Sequence, residues 1–112
     1  MSRVTDGNVY SAFILLANRL NKTVYIGEST LKGLRKRNKY FHEPKLLAEK
    51  YLTVGSWSLG YSGWGWQIEE MSNEDGGISH PLGLEAKKSR EFYDCVHFAL
   101  RTLDYKRLSE EI

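Results

Sequence analysis

The sequence predicts a single α+β domain spanning residues 1–112. It would form a three-stranded antiparallel sheet with two long amphipathic helices packed on one face and short helices at one end. Apolar residues recur at helical spacing near both ends of the chain, and strand-like segments separated by turn signals occupy its middle. A chain of 112 residues can build one hydrophobic core but not two.

The first long helix is predicted to follow Asn8, which can serve as its N-cap. Val9, Phe13, Leu16 and Leu20 then recur at helical spacing and form one apolar stripe. This stripe predicts a helix with one face against the core.

Three shorter elements follow. Residues 23–27 are rich in β-branched side chains and predict either a small strand or an extended connection. Ser29 or Thr30 can cap a short helix through LKGLRKRNKY, and Pro44 suits the first turn of another through PKLLAEKYL. We expect these short helices at one end of the sheet.

The sheet is predicted to centre on GSWSLGYSGWGWQ, which holds all three tryptophans of the chain. Residues 53–61 and 64–72 are predicted strands around a tight Ser62-Gly63 turn. A second turn signal, NEDGG, precedes a short third strand at residues 78–80.

This register places the large side chains of the hairpin on one face and the small polar ones on the other. The large face contains three cross-strand pairs: Tyr61 with Trp64, Leu59 with Trp66, and Trp57 with Ile68. Either the whole face packs beneath the long helices, or its tip, with Tyr61 and Trp64, stays open as a docking platform. Tryptophan and tyrosine dominate interface hot spots and also stack on unpaired bases.

The second long helix is predicted to begin with Ser89 as its N-cap. Phe92, Val96, Ala99 and Leu103 form its apolar stripe. The two long helices would therefore cover the aromatic face of the hairpin.

Basic residues are concentrated in one segment although the net charge is only +2. The segment KGLRKRNK contributes five cations: Lys32, Arg35, Lys36, Arg37 and Lys39. On a helix, all of these except Arg37 share one face. That face is either simply solvated, or it binds an anionic partner such as a phosphate backbone or an acidic protein surface.

The sequence contains no pattern that predicts catalysis, a metal site or a cofactor. His42, His80, His97 and Cys95 do not have the spacing of a metal-ligand set. Nucleophile motifs, a Walker loop and a dinucleotide fingerprint are absent. We therefore expect a non-catalytic protein, since an enzyme would need groups that only the fold brings together.

The location expected from the sequence is the cytoplasm. The longest apolar run, residues 12–17, is far shorter than the about 20 residues that cross a bilayer. The stretch MSRVTDGN lacks the apolar core of a signal peptide, and a single cysteine suits a reducing compartment. We expect no membrane partner.

The stretch GYSGWGWQIEEMSNEDGGISHPLG, followed by KKSREFYDCVHFALRTL, resembles a class of small bacteriophage-encoded proteins of unassigned function. The shared pattern is a Tyr/Gly-rich strand, an Asn-x-x-Gly-Gly turn and a Ser-x-Arg/Glu-Phe/Leu-Tyr helix start. The matching positions are Tyr61, Gly63, Asn73, Gly76, Gly77, Ser89, Glu91, Phe92 and Tyr93. The resemblance covers the C-terminal half. It implies a phage or prophage origin and a bacterial host cell, and it carries no catalytic residues.

These observations predict a binding protein that acts on a host protein or complex, with inhibition of host defence as one such role. The alternative is a small nucleic-acid-binding protein that uses the basic face 32–39. The expected binding residues are the five cations of that segment together with Tyr61 and Trp64. The sequence leaves the oligomeric state open.

Overall fold

A computed structural model describes residues 4–38, 41–51, 53–81 and 86–111, with the backbone alone for 106–111. Within these ranges the chain forms three helices and one three-stranded antiparallel sheet, which confirms the predicted α+β class. The elements are α1 (Asp6–Arg19), α2 (Glu28–Arg37), β1 (Trp57–Ser62), β2 (Gly65–Met71), β3 (Ile78–Ser79) and α3 (Ser89–Glu111). The sheet order is β1-β2-β3, so β2 is the central strand.

Helix α1 begins before the predicted cap. Thr5 is its N-cap, and the Thr5 hydroxyl accepts a hydrogen bond from the N–H of Asn8 at 3.2 Å. The Asn8 side chain accepts the N–H of Thr5 in return at 2.9 Å. This reciprocal pair is a capping box, which satisfies two backbone donors at the helix start. Asn8 is therefore the third residue of the helix and not its N-cap.

Helix α2 also begins earlier than predicted. Its N-cap is Gly27, without a side-chain cap, so Ser29 and Thr30 lie inside the first turn. The helix buries Leu31 and Leu34 and ends at Arg37. Its basic residues therefore lie on the solvent side and at its C-terminal end.

The helix predicted for PKLLAEKYL is wrong within residues 41–51, which contain no helix. Val24 donates its N–H to the carbonyl of Leu46, and Ala48 donates its N–H to the carbonyl of Val24, both at 2.8 Å. On its other side Val24 forms a parallel bridge with Trp57. Because backbone groups of this segment are used in bridges to Val24, a local helix cannot form there.

The hairpin turn lies one residue further along the chain than predicted, which shifts the cross-strand pairing by two residues. Ser62 pairs with Gly65, so the turn residues are Gly63 and Trp64 instead of Ser62 and Gly63. The pairs on the large face are Tyr61 with Trp66, Leu59 with Ile68, and Trp57 with Glu70. Because the pairing shifts by an even number of residues, the residues of the two strands keep their predicted faces. Trp64 lies in the turn, and residues 53–56 and 72, predicted as strand, lie outside β1 and β2.

The core lies between the large face of the hairpin and the helices. Its buried members include Phe13 and Leu16 from α1, Trp57, Trp66 and Ile68 from the hairpin, and Phe92 and Val96 from α3. The prediction that the aromatic face packs against the helices is therefore confirmed for Trp57 and Trp66. None of the helices in the described ranges combines the length and the apolar character needed to span a bilayer.

A polar network borders this core at Trp57. Its indole N–H donates to Glu70 Oε1 at 2.8 Å, and Lys22 Nζ lies 3.2 Å from the same oxygen. The Lys22 ammonium also lies 5.8 Å from the centre of the Trp57 ring. The indole hydrogen bond, assisted by Lys22, lowers the pKa of Glu70 against the opposing effect of desolvation. The folded chain therefore favours an ionised Glu70.

We expect Glu70→Gln to lower the free energy of unfolding by about 1 kcal/mol near pH 7, because it removes the carboxylate partner of Trp57 and Lys22. Folding depresses the pKa of Glu70, so its contribution is complete above the unfolded pKa of about 4.3. It is lost as the pH falls through the lower folded value. Urea unfolding over that pH range measures the difference between variant and wild type.

The matched control is Glu69→Gln, which changes the neighbouring carboxylate on the opposite face of β2. The control retains Glu70 and is therefore expected to keep the acid-dependent loss of stability that wild type shows, whereas Glu70→Gln lacks it. Equal pH dependence in the two variants would contradict the role given to the Trp57–Glu70 bond.

Candidate functional site

The tip of the hairpin is attached to the start of α3. Trp66 and Lys87 exchange two backbone hydrogen bonds, with N···O distances of 2.6 and 2.8 Å. The indole N–H of Trp66 also donates to the hydroxyl of Ser89 at 3.0 Å. Ser89, predicted as the N-cap, is the first residue of α3 and accepts the Trp66 indole. These bonds hold two segments that are distant in sequence in one arrangement.

This attachment requires glycine at position 65. Gly65 has φ of 125°, a conformation that residues with a side chain rarely adopt. A Cβ atom there would also overlap the carbonyl group of Lys87. The backbone at Lys87, just before α3, therefore passes directly over the space that a side chain at position 65 would occupy.

Two aromatic rings pack on Trp66 above this attachment. The ring centres of Tyr61 and Trp66 are 4.6 Å apart, and those of Tyr10 and Trp66 are 5.7 Å apart in an edge-to-face arrangement. Burial, with the nearby Asp6 charge, raises the pKa of Tyr10. Tyr61 is the outermost of the three and remains 71% exposed. Its ring is therefore positioned by the core yet accessible to a partner.

Trp64 is presented to solvent at the turn itself. It is 83% exposed, and its backbone N–H donates to the hydroxyl of Ser62 at 3.2 Å. Tryptophan is one of the residue types most often found at the energetic centre of protein interfaces. We refer to Tyr61, Ser62, Gly63 and Trp64 as the hairpin tip.

A groove of about 890 Å³ opens beside Tyr61, between the starts of α1 and α3 and the end of α2. We call it the tip groove and define it by its charged lining residues Asp6, Arg37, Lys88 and Arg90, with Tyr61 at its edge. Three cations and one carboxylate give the groove a net positive charge.

Arg37 reaches the groove along α2. The guanidinium packs beside Gly33, one turn earlier, at ordinary van der Waals distance. Gly7 of α1 makes room for Asn38, since a Cβ there would overlap the Asn38 side chain, whose amide donates to the carbonyl of Leu34 at 2.9 Å. The end of α2 thereby packs closely on the start of α1.

The other cations of the predicted basic face are placed differently. Arg35 makes a bidentate pair with Glu43, with N···O distances of 2.7 and 2.9 Å, which lowers the pKa of Glu43. Its charge is therefore already neutralised within the chain. Lys32 and Lys36 are exposed, and Lys39 lies outside the described residues.

The structure thus brings together two of the predicted binding residues, Arg37 and Tyr61. It adds Lys88 and Arg90, which sequence reasoning missed. They belong to the basic run KKSR at the start of α3, and this run was the available signal. No local pattern relates that run to Arg37. Lys88 and Arg90 come close to Arg37 only because α3 packs against α1.

The described part of the chain contains no group of three or more histidine, cysteine, aspartate or glutamate side chains arranged to hold a metal ion. Comparisons with protein-family models, with curated proteins and with solved structures find no match to this chain. The functional argument therefore depends on the geometry of the hairpin tip and the tip groove.

We expect Gly65→Ala to destabilise the fold by about 1–3 kcal/mol, because it imposes a strained backbone conformation and a clash with Lys87. Gly63→Ala, two residues away in the same hairpin, is the matched control, since a Cβ at Gly63 meets no atom within 4 Å. Urea unfolding of both variants measures the effect. A similar loss in the two variants would contradict the importance of the Trp66–Lys87 attachment.

Proposed function

We propose that the protein is a non-catalytic accessory protein, of the kind that bacteriophages encode, which binds a host protein or complex through the hairpin tip and the tip groove. Inhibition of a host defence system is the role we favour. The observation that carries the proposal is Trp64, an indole that is 83% exposed at the end of an anchored hairpin.

The composition of this surface supports a protein partner. Trp64, Tyr61 and Arg37 are of the three residue types most enriched among interface hot spots. The hairpin tip is fixed by the bonds of Trp66 to Lys87 and Ser89. A fixed tip loses little conformational entropy on binding, so more of the contact energy is available as affinity.

The charges indicate the chemistry of the partner. Arg37, Lys88 and Arg90 beside an exposed ring suit an acidic protein surface with a pocket for the Trp64 indole. Lys32 and Lys36 extend the positive field along α2 and would accelerate encounter with such a surface. The proposed partner is therefore an acidic face of a host protein.

We expect Trp64→Ala to weaken partner binding at least about tenfold, because it removes the central anchor of the surface. A pull-down from nuclease-treated bacterial lysate identifies the partner, and titration of that purified partner measures the affinity of each variant. Tyr51→Ala is the matched control, since Tyr51 is an exposed aromatic residue, at 44%, outside the hairpin tip and the lining of the tip groove.

The proposal predicts that the control binds like wild type. Equal loss in the Trp64 and Tyr51 variants, or unchanged binding in the Trp64 variant, would contradict the assignment of this surface. A partner captured only in the absence of nuclease would indicate that nucleic acid bridges the complex.

A second candidate function, nucleic-acid binding, is favoured by the lining of the tip groove. Lysine and arginine neutralise phosphates, and an exposed tyrosine can stack on an unpaired base. Arg37, Lys88 and Tyr61 offer both chemistries side by side. Asp6 in the same groove would repel a phosphate and an acidic protein surface alike, so it does not separate the two candidates.

A salt titration against single- and double-stranded DNA and RNA tests this second candidate. If it is correct, affinity falls steeply with salt, and the double variant Arg37→Glu/Lys88→Glu loses binding. The matched control Lys32→Glu/Lys36→Glu makes the same charge change on the exposed part of α2. Greater loss in that control would instead favour the basic face 32–39, and no binding at low salt would eliminate the candidate.

A further inference from the structure

The outward face of α3 carries aromatic residues that the described residues do not cover. Phe98 and Tyr105 are 71% and 74% exposed, whereas Phe92 and Val96 on the inward face are buried. Helix α3 has 23 residues and α1, its main helical neighbour, has 14. Isolated exposed rings are common on proteins, so their arrangement along the helix decides whether they form a surface.

Exposed and half-buried residues around Phe98 form three parallel rows on α3. At about 100° per residue, Glu91, Phe98 and Tyr105 lie within about 20° of one line along the helix. Asp94 and Arg101 lie about 40–60° to one side of that line. Cys95 and Thr102 lie about 40–60° to the other side. The two charged residues of the side rows, Asp94 and Arg101, are therefore on the same side of Phe98.

We infer that this face of α3 binds the same face of a second copy of the chain, with the two helices antiparallel and Phe98 on the two-fold axis. Such an axis brings together residues that are equally far from Phe98 in opposite directions. Glu91 and Tyr105 are each seven residues from Phe98. The phenol of Tyr105 in one copy therefore faces the carboxylate of Glu91 in the other.

The positions of the side rows favour an antiparallel pair of helices. In an antiparallel pair, a two-fold axis leaves each row facing its own counterpart. Asp94 is four residues before Phe98 and Arg101 three after it, so each Asp94 meets the Arg101 of the second copy within about one 1.5 Å helical rise. In a parallel pair each charged row would instead face the Cys95 and Thr102 row. Only the antiparallel arrangement pairs these opposite charges.

Existing contacts leave these groups available. Asp94 has an intrahelical neighbour in Arg90, at the long N···O distance of 3.9 Å and with both side chains exposed. Arg101 borders the α1–α3 surface, where the ion pair is made by Arg19 and Asp104. The described residues provide no ion-pair partner for Arg101.

A single helix pair buries less than the about 1,200–2,000 Å² of a standard interface. We therefore expect a dissociation constant on the order of tens of micromolar. This dimer does not involve the hairpin tip, so its failure would leave the proposed function intact, and failure of the proposed function would leave the dimer intact.

Sedimentation analysis over a range of protein concentrations tests the inference. Wild type is expected to dimerise, and Phe98→Glu is expected to raise the dissociation constant at least about tenfold. Trp64→Glu adds the same charge at the hairpin tip and is expected to dimerise like wild type. Circular dichroism confirms that each variant is folded.

Charge reversal tests the proposed pairing. Arg101→Glu places a carboxylate opposite Asp94 of the second copy and is expected to weaken the dimer several-fold. Adding Asp94→Arg to Arg101→Glu restores opposite charges across the axis and is expected to recover the affinity of the dimer. A wild type that stays monomeric up to about 0.5 mM, or a double variant no better than Arg101→Glu alone, would overturn the inference.

A cysteine crosslink tests the direction. Cys95 and Thr102 lie on the same side, three residues before and four after Phe98, so they meet across an antiparallel pair. Thr102→Cys is therefore expected to give a covalent dimer with a short bismaleimide. Wild type and Thr102→Cys/Cys95→Ser retain one cysteine each. In the antiparallel pair, the cysteine of one copy does not lie opposite the cysteine of the other, so both proteins are expected to remain uncrosslinked. Equal crosslinking in all three proteins would overturn the antiparallel arrangement.

Discussion

The attachment of Trp66 to the backbone just before α3 is the interaction on which the rest of the structure depends. Two backbone hydrogen bonds join Trp66 to Lys87, and the indole N–H is bound by Ser89. Because α3 packs Phe92 and Val96 into the core, this attachment sets the position of the helix over the sheet. It also places Lys88 and Arg90 beside Tyr61, so the tip groove exists only while the attachment holds.

The polar partners of the indoles explain which tryptophans are buried. A buried indole N–H needs an acceptor, since an unpaired donor in the core costs about 1–3 kcal/mol. Trp57 has the carboxylate of Glu70, and Trp66 has the hydroxyl of Ser89. For Trp64 the described residues supply no acceptor, and its side chain is in solvent. The hairpin therefore divides its aromatic residues between a structural face and an exposed tip.

The elements that the sequence predicted correctly are those whose signal is local. The apolar stripes of α1 and α3 repeat every turn, and the alternation of the hairpin identifies its buried face regardless of exact register. The missed features depend on distant partners. The hairpin turn is set by Gly65 beneath Lys87. The segment PKLLAEKYL, predicted as a helix, is not helical over residues 44–51, where Leu46 and Ala48 bond to the backbone of Val24. The tip groove depends on the same long-range packing.

Helix α3 connects the tip groove, which lies at its start, with the outward face around Phe98. Ser89 is nine residues before Phe98, which corresponds to about 14 Å along the axis. In an antiparallel pair the two grooves would therefore be separated by about 27 Å along the helices. Two equivalent sites at fixed spacing favour a partner with repeated or symmetric binding surfaces, since the second contact becomes intramolecular and affinity rises without any new contact. A weak dimer would then form preferentially on such a partner, because the partner itself raises the local concentration of the chain.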